Sequence, residues 1–220
     1  PYGYGRFKNV VTSLEFERLA DPAGPTGGRL LRPSDGRPAK NVAFIQCAGS
    51  RDENHLRHCS PICCMATLKQ THYVRESGAD ARSTVYYIDI RSIDRFEDFY
   101  AQVRADATVS FVKSKVARIA QGDDGNLILH GVDTEGYHRY AAEHDLVVLA
   151  VGMQPEVDAA ALPEDLALDE SGFIEACTSG GQFAAGVASG PLDVNRSVQS
   201  ATAAALRAIQ VLHKNARAEA

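Results

Sequence analysis

Four cysteines crowd into one stretch of the chain. Residues 44–64 read FIQCAGSRDENHLRHCSPICC, with Cys47, Cys59, Cys63 and Cys64 inside 18 residues at the spacing C-x11-C-x3-C-C. Iron–sulfur clusters are held by cysteine thiolates, usually four. Adjacent cysteines suit a polynuclear cluster, whose iron corners are separated. A single zinc ion normally takes its cysteines as pairs two to four residues apart. An iron–sulfur centre is therefore the first expectation; a zinc site, or buried cysteines without metal, are the alternatives. Of the five cysteines only Cys177 stands apart, and it reads as structural or incidental.

The neighbouring elements set where these thiols lie. The apolar run 41–47 predicts a buried strand with Cys47 at its end, where α/β sheets place ligands. After the polar loop 48–58 a helix is expected over 61–77, with Ser60 as N-cap and Pro61 at its first position. Met65, Leu68, His72 and Tyr73 form its expected inner face. Cys59 then precedes the helix and Cys63 and Cys64 occupy its first turn, where backbone N–H groups and the dipole favour negative charge. His55 and His58 lie in the cysteine loop, where they could tune or replace a ligand, but read first as solvated loop residues, and Arg51 and Arg57 as surface charge able to balance an anionic centre.

Further along, STVYYIDI at 83–90 predicts a strand, 94–107 a helix capped by Asp94 with Phe96, Phe99, Tyr100 and Val103 in its stripe, and 109–112 a third strand. This β-α-β-α-β order implies a parallel sheet. A hairpin is expected at 116–132 around Asp123–Asn126, a return strand at 145–151, a short strand within 182–190 and a last helix over 196–213. Upstream, 9–20 predicts a strand end and a short helix capped by Thr12 or Ser13, followed by an ordered linker at 21–40.

Composition narrows the class. The 220 residues are 45% hydrophobic with a net charge of −5, which gives no reason to expect nucleic-acid binding. No run reaches the ~18 apolar residues of a membrane span, no signal peptide opens the chain, and a cytoplasmic location is the default. The absence of an initiating Met suggests a piece of a longer polypeptide. The first strand-to-helix turn should carry G-x-G-x-x-G in a nicotinamide-binding domain. Here it reads QCAGSR at 46–51, so NAD(P)H binding in the usual manner is not expected. AVGMQP at 150–155, DESGFI at 169–174 and FAAGV at 183–187 form an ordered series of small residues fit for a flat cofactor such as a flavin.

These segments resemble the A-subunit family of heterodisulfide reductase, which includes the A-type component of the quinone-interacting membrane-bound oxidoreductase of sulfate reducers. The matching text is NVVTSLEFERL (9–19), GPTGG (24–28), RPSDGRP (32–38), FIQCAGSRDE (44–53), HCSPICCMATLKQ (58–70), YYIDIRS (86–92), LVVLAVGM (146–153) and FAAGVASGPLDVNRSVQSA (183–201). The resemblance implies an α/β, thioredoxin-reductase-like fold. Residues 1–40 would end an upstream FAD-domain segment, 41–152 would be an inserted nicotinamide-domain-like module carrying the cysteines, and 153–220 the C-terminal FAD-domain segment. It implies a 4Fe-4S cluster on Cys47, Cys59, Cys63 and Cys64. It implies FAD contacts at Gly152, Met153, Gly186, Val187, Ser197, Val198 and Gln199. Val187 departs from the Asp of ordinary reductases, and the ADP-binding half of the FAD domain is absent from the sequence. The implied function is electron transfer between FAD and the cluster, with other subunits of a redox complex as partners and an isolated chain that is inactive. The rival readings are a docking domain with a zinc or empty cysteine site and an NAD(P)H-dependent disulfide reductase.

Overall fold

The computed structural model describes residues 2–156, 162, 166–175 and 181–218; Cys177 lies outside them. Five strands, β1 (Val10–Thr12), β2 (Asn41–Ala48), β3 (Arg82–Tyr87), β4 (Val109–Lys113) and β8 (Leu146–Val151), form one sheet in the order β1-β8-β2-β3-β4. Every pairing is parallel. β2 and β8 read as nearly continuous apolar runs because the centre of a parallel sheet is covered on both faces.

Alternation sorts their side chains. Val42, Phe44, Leu146 and Val148 share a core with Phe16, Leu68, Val74 and Val103 from three helices. Ala43, Ile45, Val147 and Leu149 point the other way and pack with Leu127 and Leu129. That second face is covered by an antiparallel sheet of β5 (Arg118–Gln121), β6 (Leu127–Asp133) and β7 (His138–His144).

The helices are α1 (Ser13–Ala20), α2 (Cys63–Ser77), α3 (Glu97–Ala105) and α4 (Val194–Ala218). Thr12 caps α1 in a reciprocal box: Glu15 N donates to Thr12 Oγ1 at 3.2 Å, and Thr12 N donates to Glu15 at 2.7 Å. Three expectations are corrected. α2 begins at Cys63 rather than 61, and the Ser60 hydroxyl accepts from Met153 N rather than from a helix N–H. α3 begins at Glu97, because Asp94 sits in a left-handed turn (φ 55°) and no side chain caps the helix. Residues 182–185, expected as a short strand running into a Gly-rich loop, form no strand, and 186–188 of that loop form a 3-10 turn. The buried face of α2 is Thr67, Leu68, Gln70, Thr71 and Val74, more polar than the expected inner face.

The linker 21–40 is ordered by Arg32, which is 3% exposed and donates to Asn126 Oδ1 and to the Asp124 carbonyl at 3.2 Å. At the entry of β2 a buried polar group is completely paired. Asn41 Nδ2 donates to the Glu143 carbonyl at 2.7 Å, which leaves its Oδ1 to accept from His144 Nδ1 at 2.9 Å. His144 Nε2 then accepts from the Tyr86 hydroxyl at 2.9 Å. Burial depresses the His144 pKa from 6.5 to about 4, against a smaller opposing pull from Asp145, so the imidazole is neutral.

The chain divides into two compact units: Pro1–Ala48 with Cys63–Val151, and Gly49–Ile62 with Gly152–Ala220. In the second, Leu168 bridges Ile174, and the 3-10 turn precedes α4. Among the described residues no helix is long and apolar enough to cross a membrane.

Candidate functional site

The first unit brings three of the four clustered cysteines to one edge of the parallel sheet. Cys47 lies near the end of β2, with φ 54°, where a register shift between Ile45 and Ala48 interrupts pairing with β8. A left-handed non-glycine residue costs roughly 1–2 kcal/mol and tends to persist at functional sites. Cys63 and Cys64 open α2, and their sulfurs diverge. Cys63 Sγ lies 3.2 Å from the Val151 carbonyl at the end of β8, and Cys64 Sγ 4.0 Å from the Asp89 carbonyl just after β3. Since β8 and β3 flank β2, the first turn of α2 straddles the strand that carries Gln46 and Cys47 and ends at Ala48.

All four clustered cysteines are partly buried. Among the described residues no three His, Cys, Asp or Glu side chains converge closely enough to share one metal ion. A polynuclear cluster spreads its ligands over separate iron atoms, and the donor set of four soft thiols matches that chemistry. Two further side chains fit an anionic group at this edge, and the sequence reading missed both. Gln46 is 5% exposed and Thr67 0%, and neither Gln46 Nε2, Gln46 Oε1 nor Thr67 Oγ1 has a hydrogen-bond partner among the described residues. Their signal was a polar amide closing an apolar strand and a threonine one turn after the paired cysteines.

Cys59 belongs to the second unit, in a loop that closes on itself. Leu56 N donates to the Gly49 carbonyl at 3.0 Å and Arg51 N to the His58 carbonyl at 3.2 Å. The loop also grips the Gly152–Met153 backbone. His58 Nε2 donates to the Met153 carbonyl at 2.7 Å, and Met153 N donates to Ser60 Oγ at 2.7 Å. His58 packs edge-on against Phe173 with ring centroids 5.4 Å apart. It is thus a structural clamp rather than a solvated residue; His55 is exposed, as expected. A Cβ at Gly152 would overlap Ser50 Oγ and stand 3.0 Å from Ser60 Oγ, so a side chain there would displace Ser50.

Gly186 takes φ 62°, donates its N–H to Ser200 Oγ at 3.2 Å and accepts from Ser189 N at 3.0 Å. Val187 is exposed beside it. Asp193 caps α4 two residues earlier than the expected start near 195–197, accepting from Arg196 N at 2.8 Å. Ser197 is half-buried in the first turn of α4, while Val198 and Gln199 are exposed. The expected flavin-contacting residues therefore sit on the 152–153 backbone held by His58 and Ser60, the 3-10 turn and the first turns of α4.

No protein-family profile matches the chain. It is 38% identical over 225 residues to an iron–sulfur A subunit of the CoB–CoM heterodisulfide reductase of Methanopyrus kandleri, covering 96% of this chain and 34% of that protein. It is 38% identical to the A subunit of the ferredoxin/F420H2-dependent CoB–CoM heterodisulfide reductase of Methanosarcina acetivorans, covering 96% and 28%. With the A subunit of the H2:CoB–CoM heterodisulfide,ferredoxin reductase of Methanothermobacter marburgensis the identity is 37%, covering 94% and 33%. The chain thus spans about a third of the length of these curated relatives. Among solved structures, thioredoxin reductase of T. acidophilum superposes with a TM-score of 0.56 at 18% identity, covering 91% of this chain and 57% of that one. Lactococcus lactis thioredoxin reductase gives 0.51 at 14% identity, covering 77% and 53%. The fold is therefore α/β and thioredoxin-reductase-like.

Proposed function

We propose, from the premise that this chain belongs to the A-subunit family of heterodisulfide reductase, that it is an electron-transfer segment of an oxidoreductase component. Cys47, Cys59, Cys63 and Cys64 would hold a 4Fe-4S cluster, and Gly152, Met153, Gly186, Val187, Ser197, Val198 and Gln199 would contribute to an FAD site. When bound, the flavin exchanges electrons in pairs or singly and the cluster singly, which together link two-electron and one-electron chemistry. The domain assignment follows: 1–40 and 153–220 as parts of an FAD domain, 41–152 as the insertion bearing the cysteines.

The observation that carries this reading is the placement of Cys47, Cys63 and Cys64 at the carboxyl edge of a parallel sheet, where open α/β sheets bind their ligands. Strand, strand-end twist and helix N-terminus present these thiols. The free N–H groups of the first turn of α2 favour the thiolate form, which is the ligating form.

The second unit offers different services. Gly152 lets the backbone pack closely on Ser50 and Ser60 of the 49–62 loop, and His58 and Ser60 bind the Met153 carbonyl and N–H. α4 opens at Val194 with Asp193 accepting from Arg196 N, and a helix N-terminus of this kind, one turn from Ser197–Gln199, suits a polarised carbonyl. Val194, Val198, Leu206, Ile209 and Leu212 leave an exposed apolar stripe along α4. That stripe supports a segment that packs against more protein, in keeping with relatives about three times as long and with partner subunits. The chain alone would then lack turnover.

Anaerobic reconstitution followed by iron, sulfide and zinc analysis tests the cluster. About four iron and four sulfide per chain with broad visible absorption are expected, falling by more than half in Cys64→Ser. Stoichiometric zinc, unchanged by anaerobic handling, would replace this reading with a zinc site.

A further inference from the structure

We propose that Gln46 and Thr67 are positioning residues that donate hydrogen bonds to the sulfur atoms of the cluster and hold its reduction potential up. The inference rests on the cluster assignment above. Gln46 continues the series Val42, Phe44 on β2, whose side chains pack with α2 and the other helices. It stands between Ile45, the last residue in regular register with β3 and β8, and the left-handed Cys47. Thr67 follows Cys63 by four residues on α2 and Cys64 by three, so it lies one turn beneath them on the helix. Because Cys63 leans to β8 and Cys64 to β3, the strand end carrying Gln46 runs beneath that first turn.

Burial makes the absence of partners informative. The Gln46 amide atoms and Thr67 Oγ1 are shut off from solvent, and among the described residues nothing accepts their protons. Native interiors pair most such groups, so each exception asks for an explanation. Atoms of Arg32, Ser34, Ser50, Gln70 and Asp193 also lack hydrogen-bond partners among the described residues, and Gln46 and Thr67 are set apart by lying, respectively, next to Cys47 and one turn from Cys63 and Cys64. An apolar side chain of similar shape would serve packing alone better. The next buried donors on α2 do find acceptors: Gln70 Nε2 donates to the Ser13 carbonyl at 3.1 Å and to Glu17 at 2.8 Å, although Gln70 Oε1 has no partner among the described residues, and Thr71 Oγ1 donates to the Leu68 carbonyl at 2.7 Å.

Thiolate and sulfide sulfurs accept hydrogen bonds and have none to give. The amide N–H pair of Gln46 and the hydroxyl of Thr67 complement them. Such donors favour the reduced state, which carries one more negative charge, and so raise the potential. No proton is transferred; the donors polarise the sulfurs and remain bound to their own side chains.

Wild-type chain, Gln46→Met and Thr67→Val are reconstituted anaerobically and compared by redox titration with EPR detection. Equal iron loading with a more negative midpoint potential in each variant is expected. In the metal-free state neither variant should melt below wild type. Exchangeable-proton couplings to the reduced cluster should weaken in each variant. Unmoved potentials at equal iron content overturn the inference while leaving the cluster assignment standing. Failure of the wild-type chain to take up iron overturns the assignment and this inference with it. Should Gln46→Met fail to fold, Thr67→Val alone decides, since it changes one methyl-sized group.

Discussion

The two ends of β2 treat buried polarity in opposite ways. At the entry, Asn41 is paired with Glu143 and His144, His144 accepts from the Tyr86 hydroxyl that reaches it from β3, and the Asp145 carboxylate accepts from the Lys40 and Asn41 amides at 2.8 and 2.9 Å. At the exit, Gln46 and Thr67 are as deeply buried and have no partner among the described residues. The same sheet can thus satisfy polar groups and does so where they only hold strands together. The open set lies at the carboxyl edge, beside the clustered cysteines, where a bound group would complete it. A buried polar residue that is paired argues for stability; one that is unpaired argues for something it has yet to meet.

The contrast can be broken experimentally, most severely at the entry. His144→Leu should strand both the Tyr86 hydroxyl and Asn41 Oδ1, costing about 4 kcal/mol in urea unfolding. Acid should act on the same network. The His144 pKa is depressed from 6.5 to about 4, so the unfolded chain takes up a proton that the folded chain refuses. The stabilisation is complete above pH 6.5, falls as pH drops toward 4 and levels off below it, amounting to about 3 kcal/mol. Denaturation at stepped pH should show this slope, and a His144→Gln chain should lack the His144 share of it. Tyr86→Phe removes only one partner and should cost about 2 kcal/mol. At the exit the sign should reverse: Gln46→Met in the metal-free chain should stabilise it by less than about 1 kcal/mol, since no hydrogen bond is lost. A clear loss there would erase the distinction between the two ends.

Much of this fold is written in local pattern. The apolar run of β2, the alternation in β6 and the T-S-L-E box that starts α1 each specify an element through neighbours close in sequence, and all three are present. The misplacements share one cause. Ser60 and Asp94 have the side chains of helix caps, but Ser60 is engaged 93 residues away by Met153 N and Asp94 lies in a left-handed turn. His58 looked like a solvated loop residue because nothing nearby in sequence announces Met153 or Phe173.

The candidate site divides in the same manner. The number, type and spacing of the cysteines are properties of the sequence, as is their assignment to a strand end and a helix start. That the adjacent sulfurs of Cys63 and Cys64 diverge toward β8 and β3 depends on those strands flanking β2. Whether Gln46 and Thr67 are paired was likewise open until folding chose their surroundings. Ligand type is chemistry carried by single residues, whereas pairing depends on which distant segments the sheet order brings within hydrogen-bonding reach.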